Sequence, residues 1–312
     1  MKTDTHHASI DFLRLRDLGM LDHIAQAGSL RGASERLHMT QPGVTHALQA
    51  LEAAFGAKLV DRGRRGQRGV TLTAAGVAAL TRLRLARREV LAAVQASREP
   101  EMASLRLGAL ATSLVELLPC ALGRLHEAVP NLAVVLVEST VPDLWNRLSI
   151  GDVDAIVCRL PEIEQWSALL PLIMYDRVHE ERLAMTGAAS HPAVRQPALD
   201  LKQLGLYPWA LPPAGSFTRA AFEQLFLRAN LEPPRPAVTC LSFHANLQLA
   251  SRGRFLTVAP MSATSAYKKA LALKIINAPW VDHHAEIVVG FRRVDADNPL
   301  IEELRRCVRE DC

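Results

Sequence analysis

The sequence predicts a multidomain α+β chain with a small helical unit at the N-terminus, one long helix after it, and a larger α/β region at the C-terminus. Three observations support this fold class. Residues 28–55 carry two short apolar patterns at helical spacing, joined by a tight turn. Residues 74–98 are rich in Ala, Leu and Arg and contain no proline, which favours one long helix. From about residue 101 onwards, β-prone and helix-like stretches alternate, as parallel β-α-β units require.

Composition indicates a globular protein with more than one core. The 312 residues are 49% hydrophobic and 22% charged, which is long and apolar enough for two or more domains. No apolar run approaches the roughly 20 residues that span a bilayer, and the first twelve residues lack the apolar core of a secretory leader. We therefore expect a cytoplasmic protein with no membrane partner. The five cysteines are scattered without a CxxC pair, which predicts neither a metal site nor a disulfide framework.

The charge of the chain is divided unevenly along its length. Residues 1–88 carry 14 Lys and Arg against 7 Asp and Glu, whereas residues 89–312 carry 22 against 25. Residues 58–88 alone hold 9 basic residues and one acid, Asp61. A basic stripe of this kind is either a solvated surface or the electrostatic footprint of a protein that binds duplex DNA.

The apolar pattern of residues 28–55 predicts two amphipathic helices. The positions that recur at helical spacing are Leu30, Ala33 and Leu37 in the first helix, and Val44, Leu48, Leu51 and Phe55 in the second.

Short-range signals mark where these two helices begin. Ser29 and Thr40 are expected N-caps, and Pro42 falls in the first turn of the second helix, where its missing N–H costs nothing. Two short helices with a tight turn form a helix-turn-helix, which presents the early residues of its second helix to the major groove of DNA. Beside the basic stripe, this pattern favours DNA binding over a solvated surface.

Residues 58–73 predict a β-ribbon wing after the helix-turn-helix. Two apolar-flanked stretches enclose a centre rich in Gly and Arg. Arg62, Arg64 and Arg65 can reach phosphates from this wing, which supplies affinity but little sequence discrimination. The winged helix-turn-helix is placed at residues 12–73.

Base reading is expected from the early residues of the second helix. Gln41, Thr45, His46 and Gln49 are polar and lie near one face, and Gln can form a bidentate pair with an adenine edge. Each of them could instead contact a phosphate or only solvent. We further expect Pro42 to allow close approach of the backbone, and Ser29 and Arg31 to hold the DNA backbone.

The long helix, placed with its linker at residues 74–100, has an apolar stripe formed by Leu80, Leu83, Val90 and Val94. This stripe could pack on a second copy of itself as a coiled coil or on the chain's own N-terminal domain.

The residues from 28 to 76 resemble the LysR-type family of bacterial transcriptional regulators. The landmarks keep one register over almost 50 residues, and they are Gly28-Ser29-Leu30, Ala33, Arg36-Leu37-His38, Thr40-Gln41-Pro42, Thr45, Leu51-Glu52, Phe55-Gly56, Leu59, Arg62 and Leu72-Thr73-Ala74-Ala75-Gly76. The chain departs from the family pattern at His46 and Gln49, where basic residues are frequent, and at Asp22, where an apolar residue is usual. We expect Asp22 to face solvent.

The resemblance implies an architecture and a set of partners. The long helix would pair two chains as a homodimer, or within a homotetramer, on a palindromic double-stranded operator, with RNA polymerase as a further partner. Residues 101–312 would form an effector-binding domain of two Rossmann-like subdomains, subdomain I at about 101–172 and 268–312 and subdomain II at about 173–267. A small, anionic metabolite would bind in the cleft between them. The chain would cross between the subdomains near residues 170–178 and return near 262–272.

Candidate effector-binding residues follow predicted strands, where helix N-termini offer free N–H groups to anions. They are Thr112 and Ser113, Ser139 and Thr140, Arg159, and, in the loop that would close the other side, Ser216, Phe217 and Thr218. The hydroxyl residues could equally be ordinary helix caps, and Arg159 could form a salt bridge instead.

Two other readings stay open at this point. An enzyme or binding protein with a basic N-terminal domain would need catalytic residues, yet no GxSxG, HExxH or GxxxxGK[ST] string is present. We therefore expect no enzymatic activity, no cofactor and no metal. A regulator that responds to a protein partner, or to no signal, is the remaining alternative.

Overall fold

A computed structural model describes residues 13–62, 69–98, 102–160, 171–196, 199–277 and 284–310. Contacts divide the chain into two compact units, one of residues 1–103 with 149–152 and the other of residues 104–148 with 153–312. Among the described residues, no helix combines the length and the apolar character needed to cross a bilayer.

The first unit begins with three short helices. A 3₁₀ turn at Leu15–Gly19 leads into α1 (Met20–Ala27), followed by α2 (Leu30–Arg36) and α3 (Gln41–Phe55). The predicted apolar positions of α2 and α3 lie in one core with α1, whose buried members include Leu21, Ile24, Ala33, Val44, Leu48 and Leu51. Phe55 is the exception, because it lies at the end of α3 and is 38% exposed.

The predicted caps are confirmed. Ser29 Oγ accepts a hydrogen bond from the Gly32 amide at 3.0 Å, and Thr40 Oγ1 accepts one from the Gly43 amide at 3.2 Å. Each cap satisfies an amide that the first turn of its helix leaves without an intrahelical acceptor. Both helices of the helix-turn-helix therefore begin at the caps that the sequence predicts.

Two short antiparallel strands form the base of the wing. β1 (Val60–Arg62) pairs with β2 (Val70–Leu72). Glu52 on α3 anchors this ribbon, because its Oε1 accepts hydrogen bonds from the Leu59 amide at 2.9 Å and the Val60 amide at 3.2 Å.

The long helix α4 (Ala74–Arg98) divides its apolar stripe between two environments. Leu80 and Leu83 are buried in the core of the first unit, so this half of the stripe packs on the chain's own domain. Val90 is partly buried and Val94 is 45% exposed, and neither belongs to that core.

Asp22 does not face solvent, contrary to expectation. Its Oδ1 accepts hydrogen bonds from Arg84 Nη2 at 2.5 Å and from Arg84 Nε at 3.2 Å, and the two side chains are only 16% and 30% exposed. This ion pair ties α1 to α4 within the first unit.

Among the residues that the structure describes, the second unit is built on a sheet of nine strands. Along the sheet their order is β4-β3-β5-β11-β6-β9-β7-β8, with β10 pairing to β6 off this path. The strands are β3 (Ala103–Ala109), β4 (Leu132–Glu138), β5 (Ala155–Arg159), β6 (Ile173–Ala188), β7 (Trp209–Leu211), β8 (Val238–Thr239), β9 (Leu256–Pro260), β10 (Leu273–Ile275) and β11 (His284–Arg292).

The helices of this unit are α5 (Leu117–Ala128), α6 (Val141–Ser149), α7 (Pro192–Arg195), α8 (Leu201–Leu204), α9 (Phe217–Arg228), α10 (Phe243–Ser251), α11 (Met261–Tyr267) and α12 (Pro299–Arg309). Parallel pairs join β3 to β5 and join β7 to both β8 and β9. The alternation of strands and helices confirms the predicted α/β class.

The strand β6 belongs to both halves of the sheet. Residues 173–182 pair with β11, whereas residues 183–188 pair with β9 and β10. We therefore propose that β6 carries the chain from subdomain I to subdomain II. β10 pairs with the second half of β6 and β11 with its first half, so we propose that residues 273–275 still belong to subdomain II.

Candidate functional site

The exposed face of α3 is the candidate DNA-reading surface. Gln41, His46 and Gln49 are exposed, and Thr45 is partly buried with its hydroxyl donating to the Gln41 carbonyl at 3.1 Å. The opposite face of the helix is held in the core by Val44, Leu48 and Leu51. The helix is therefore fixed along one side and presents polar side chains along the other.

The remaining DNA candidates differ in how far the structure describes them. Ser29 is occupied as a cap, while Arg31 is exposed and 3.6 Å from Glu35 in a pair that solvent screens strongly. Pro42 is exposed in the first turn of α3. Arg62 is the last residue of β1, and Arg64 and Arg65 lie outside the described residues.

The sheet register of the second unit defines a cleft. Arg159, the last residue of β5, pairs with Ile287 of β11, which pairs in turn with His179 of β6. Pro260, the last residue of β9, pairs with Leu183 of β6. Since β5 and β9 run in opposite directions, their carboxyl ends face each other across residues 179–183, about 13 Å of strand. Ligands of open α/β sheets bind outside the carboxyl ends of strands.

Backbone hydrogen bonds bring the ends of β3, β4 and β5 together on one side of this cleft. The Ser139 amide donates to the Ala109 carbonyl at 3.2 Å, and the Leu110 amide donates to the Val157 carbonyl at 3.2 Å. The candidates that follow these strands, Thr112, Ser113, Ser139, Thr140 and Arg159, therefore share one edge of the sheet.

The hydroxyl residues at this edge have different roles. Thr112 and Ser113 lie in a turn before α5, whose N-cap is Glu116, so neither of them caps that helix. Neither hydroxyl forms a hydrogen bond within the part of the chain that the structure describes. Ser139 is already engaged, because its hydroxyl donates to Asp143 at 2.6 Å. This bond and that of Arg147 lower the pKa of the Asp143 carboxyl. Thr140 is exposed before α6.

Arg159 and Phe217 are the two candidates in direct contact across the cleft. The guanidinium carbon lies 4.6 Å from the centre of the Phe217 ring, a cation–π distance. Trp145 fixes the backbone there, since its Nε1 donates to the Arg159 carbonyl at 3.3 Å. The guanidinium itself makes no hydrogen bond or salt bridge to any residue in the described ranges. Burial lowers the pKa of Arg159, while the charge of Glu181 acts in the opposite direction.

Phe217 is held by the start of α9. Ser216 Oγ accepts from the Arg219 amide at 3.3 Å, so Ser216 is an N-cap, and Phe217 and Thr218 are the first two residues of the helix. All three are partly buried.

Two residues at this site, Glu181 and Ser262, are not identified from the sequence. Glu181 of β6 is only 8% exposed, and its carboxylate accepts hydrogen bonds from the hydroxyl of Ser262 at 2.6 Å and from the Ser262 amide at 3.3 Å. In the sequence, Glu181 lies in the charged run 179–182, which is typical of a solvated surface. The signal that identifies it is its place in the sheet, which no local pattern contains.

The cysteines offer little reactive chemistry. Cys158 and Cys307 are buried free thiols, and burial raises the pKa of both. Cys240 is free and partly buried, whereas Cys120 is engaged in a disulfide, contrary to the expectation from the scattered cysteines. Within the described ranges, no group of three or more His, Cys, Asp or Glu is placed to hold a metal ion.

Family comparisons match both parts of the chain. Residues 15–77 match the bacterial regulatory helix-turn-helix proteins of the lysR family, and residues 98–312 match the LysR substrate binding domain.

Relatives and solved structures cover most of the chain. The HTH-type transcriptional regulator TfdS of Cupriavidus pinatubonensis is 30% identical over 261 residues, 81% of this chain and 84% of that protein. Full-length CbnR complexed with its target DNA is similar with a TM-score of 0.57 and 25% identity, over 95% of this chain and 99% of that one. A full-length OxyR variant from Pseudomonas aeruginosa has the same fold with a TM-score of 0.62 and 21% identity, over 96% of this chain and 98% of that one.

Proposed function

The chain belongs to the LysR family of bacterial DNA-binding transcriptional regulators, which carry a substrate-binding domain, and we propose that a small anionic metabolite bound beside Arg159 controls its activity. The family consists of regulators, so the enzyme reading is set aside.

The guanidinium of Arg159 carries the proposal. It lies at the carboxyl end of β5, in a cleft, with one face against Phe217 and with no acceptor among the described residues. Five N–H donors in a planar fork match a carboxylate or phosphate. Partial burial of an arginine that has no hydrogen-bond acceptor is unfavourable. A bound anion would offset this cost, so the site favours an anion.

Thr112 and Ser113 supply the next contacts in this proposal. Their hydroxyls follow the end of the neighbouring strand β3, and neither is engaged by another residue that the structure describes. Ser139, Thr140, Ser216 and Thr218 complete the walls, although Ser139 and Ser216 already serve Asp143 and α9.

On the DNA side, α3 reads sequence and flanking groups hold phosphates. Gln41, His46 and Gln49 project from the face opposite the core, with Thr45 beside them. Arg31 and the wing arginines supply affinity that does not depend on sequence.

Two chains would pair through the second half of α4, where Leu91 and Val94 are exposed. Pairing would place two recognition helices on the half-sites of a palindromic operator. An effector that prefers one arrangement of the subdomains would change the DNA geometry on which RNA polymerase acts, since a ligand with equal affinity for both arrangements shifts nothing.

The effector proposal is tested with Arg159→Gln in the full-length chain. We expect benzoate, used as a simple carboxylate probe, to raise the melting temperature of the wild type saturably and to leave that of the variant unchanged. Operator binding by the variant should stay intact. The matched control is Arg228→Gln, which removes an exposed charge at the end of α9. A variant that binds benzoate as the wild type does would place the pocket elsewhere.

The DNA proposal is tested with Gln49→Ala and Arg31→Ala. Losing Gln49 should relax discrimination between operator and unrelated duplex, because a bidentate contact between a glutamine and a base contributes about 1–3 kcal/mol of discrimination. Losing Arg31 should weaken binding to both duplexes alike, and it should reduce the slope of log binding constant against log salt concentration by about one. Equal behaviour of the two variants would contradict this division of roles.

A further inference from the structure

The register around the cleft places an acidic side chain on the same face of the sheet as Arg159. Ile287 and Ala285 lie two residues apart on β11 and therefore point to one face. Arg159 pairs with Ile287, and Glu181 pairs with Ala285 from the other side. Paired residues on neighbouring strands share a face, so Arg159 and Glu181 lie on one face of the sheet, on either side of β11.

Glu181 is built into this wall as a buried acid. Its oxygens accept the two hydrogen bonds from Ser262, at the start of α11, and it makes no salt bridge within the described ranges. These hydrogen bonds come from neutral donors, so they do not cancel the charge of the carboxylate. The electrostatic influence of Glu181 reaches the guanidinium of Arg159. His179, two residues before Glu181 on β6 and therefore on the same face, is also ionisable and is exposed.

We propose that Glu181 determines specificity at this site by limiting the effector at Arg159 to a single negative charge. The inference rests on the proposed function, because it assigns a charge limit to the same anion site. Before the ligand arrives, the cation of Arg159 and the anion of Glu181 balance. A monocarboxylate then leaves one net negative charge in the cleft, whereas a dianion leaves two, beside the buried side chain of Glu181.

The size of the effect follows from Coulomb's law. One unit charge at several ångströms, in a medium of effective dielectric near 20, changes binding of a monoanion by about tenfold or more. The same charge acts twice on a dianion, so neutralising Glu181 should strengthen the dianion by about the square of that factor. The ratio of the two affinities should therefore move by about tenfold, even though both affinities rise.

The experiment uses the full-length chain at pH 8 and two probes of one scaffold, benzoate and phthalate. The variant is Glu181→Gln, which keeps the shape of the side chain and an oxygen that can accept from Ser262. The matched control is Glu180→Gln, which removes the same charge from the adjacent, exposed residue of β6. Dissociation constants come from calorimetry, and melting temperatures verify that each variant is folded.

We expect wild type and Glu180→Gln to prefer benzoate, and Glu181→Gln to shift the affinity ratio towards phthalate by about tenfold. An unchanged ratio in Glu181→Gln, or an equal shift in Glu180→Gln, would overturn the charge limit while leaving Arg159 as the anion site. Failure of the proposed function has a different signature, because Arg159→Gln would then bind the probes as the wild type does. If neither probe binds any variant, the carboxylate site and the charge limit are both wrong.

Discussion

Gly76 offers a sharp test of how the wing is joined to the long helix. It is the third residue of α4, where alanine would ordinarily stabilise a helix by about 1 kcal/mol relative to glycine. A Cβ added at Gly76 would lie 1.9 Å from the carbonyl oxygen of Leu59 and 2.9 Å from its carbonyl carbon. These are backbone atoms, so a side-chain rotation cannot relieve the clash.

The magnitude follows from the displacement that alanine would force. Ordinary contacts begin at 3.4 Å, so α4 and the Leu59 carbonyl would have to separate by about 1.5 Å, which is overpacking of the kind that costs about 1–3 kcal/mol. The same carbonyl accepts from the Thr73 amide at 3.1 Å, a bond that contributes about 1 kcal/mol. We expect Gly76→Ala to destabilise the first unit by about 2–4 kcal/mol.

The chain supplies its own control and its own assay. Gly123 lies within α5, and a Cβ there meets nothing within 4 Å, so Gly123→Ala should stabilise the second unit by about 0.5–1 kcal/mol. All four tryptophans lie beyond residue 103, so fluorescence follows the second unit, while far-UV circular dichroism follows helices in both. Gly76→Ala should shift only the dichroism transition in urea. A Gly76→Ala chain as stable as wild type would refute the close approach.

Two further substitutions test the anchors of the first unit. Asp22→Ala should lower the free energy of unfolding by about 1–2 kcal/mol, because it leaves the partly buried Arg84 without its carboxylate. Glu35→Ala, which breaks an exposed pair, should lower it by less than about 0.5 kcal/mol. Equal losses in urea denaturation would contradict this. Glu52→Ala should cost about 2 kcal/mol, since two amides lose their acceptor, and Glu52→Gln, which can still accept, should restore most of it; no difference between the two in urea would show that these bonds are dispensable.

The parts of the fold that follow from neighbouring residues can be predicted from the sequence. Caps and the first turn of a helix are local, so the sequence alone identifies Ser29 and Thr40 as caps, and the structure confirms both. The strand at residues 132–138 is predictable for a similar reason, because an unbroken β-prone run leaves few alternatives.

The parts that depend on distant residues cannot be predicted in this way. The first half of β6 is one of them, because the charged residues 179–182 resemble a surface segment until the distant strand β11 supplies their partner. Leu80 and Leu83 fit a pairing stripe, although the core of the first unit buries them. For the candidate site, Arg159 is identified from its position after a strand, whereas Glu181 needs the register through β11.

His191 adds a pH dependence whose sign can be derived from its hydrogen bonds. It is 3% exposed and caps α7, with its Nδ1 accepting from the Ala193 amide at 3.1 Å. Burial lowers the pKa of His191 below its usual value, and a hydrogen bond to the backbone of Arg254 opposes this.

The unfolded chain therefore binds this proton more readily than the folded one, so the stabilisation is complete above about pH 6.5 and is lost as the pH falls through the lowered pKa. One proton limits the slope to about 1.4 kcal/mol per pH unit. We expect His191→Asn, which can still cap α7, to flatten the dependence of unfolding free energy on pH between pH 7.5 and 5.5, measured by tryptophan fluorescence in urea. Exchanging the exposed His126 of α5 for Asn should not. Protonation of His191 would remove the acceptor that the Ala193 amide needs. If both variants keep the wild-type slope, this protonation does not destabilise the fold, and the acid sensitivity comes from other groups.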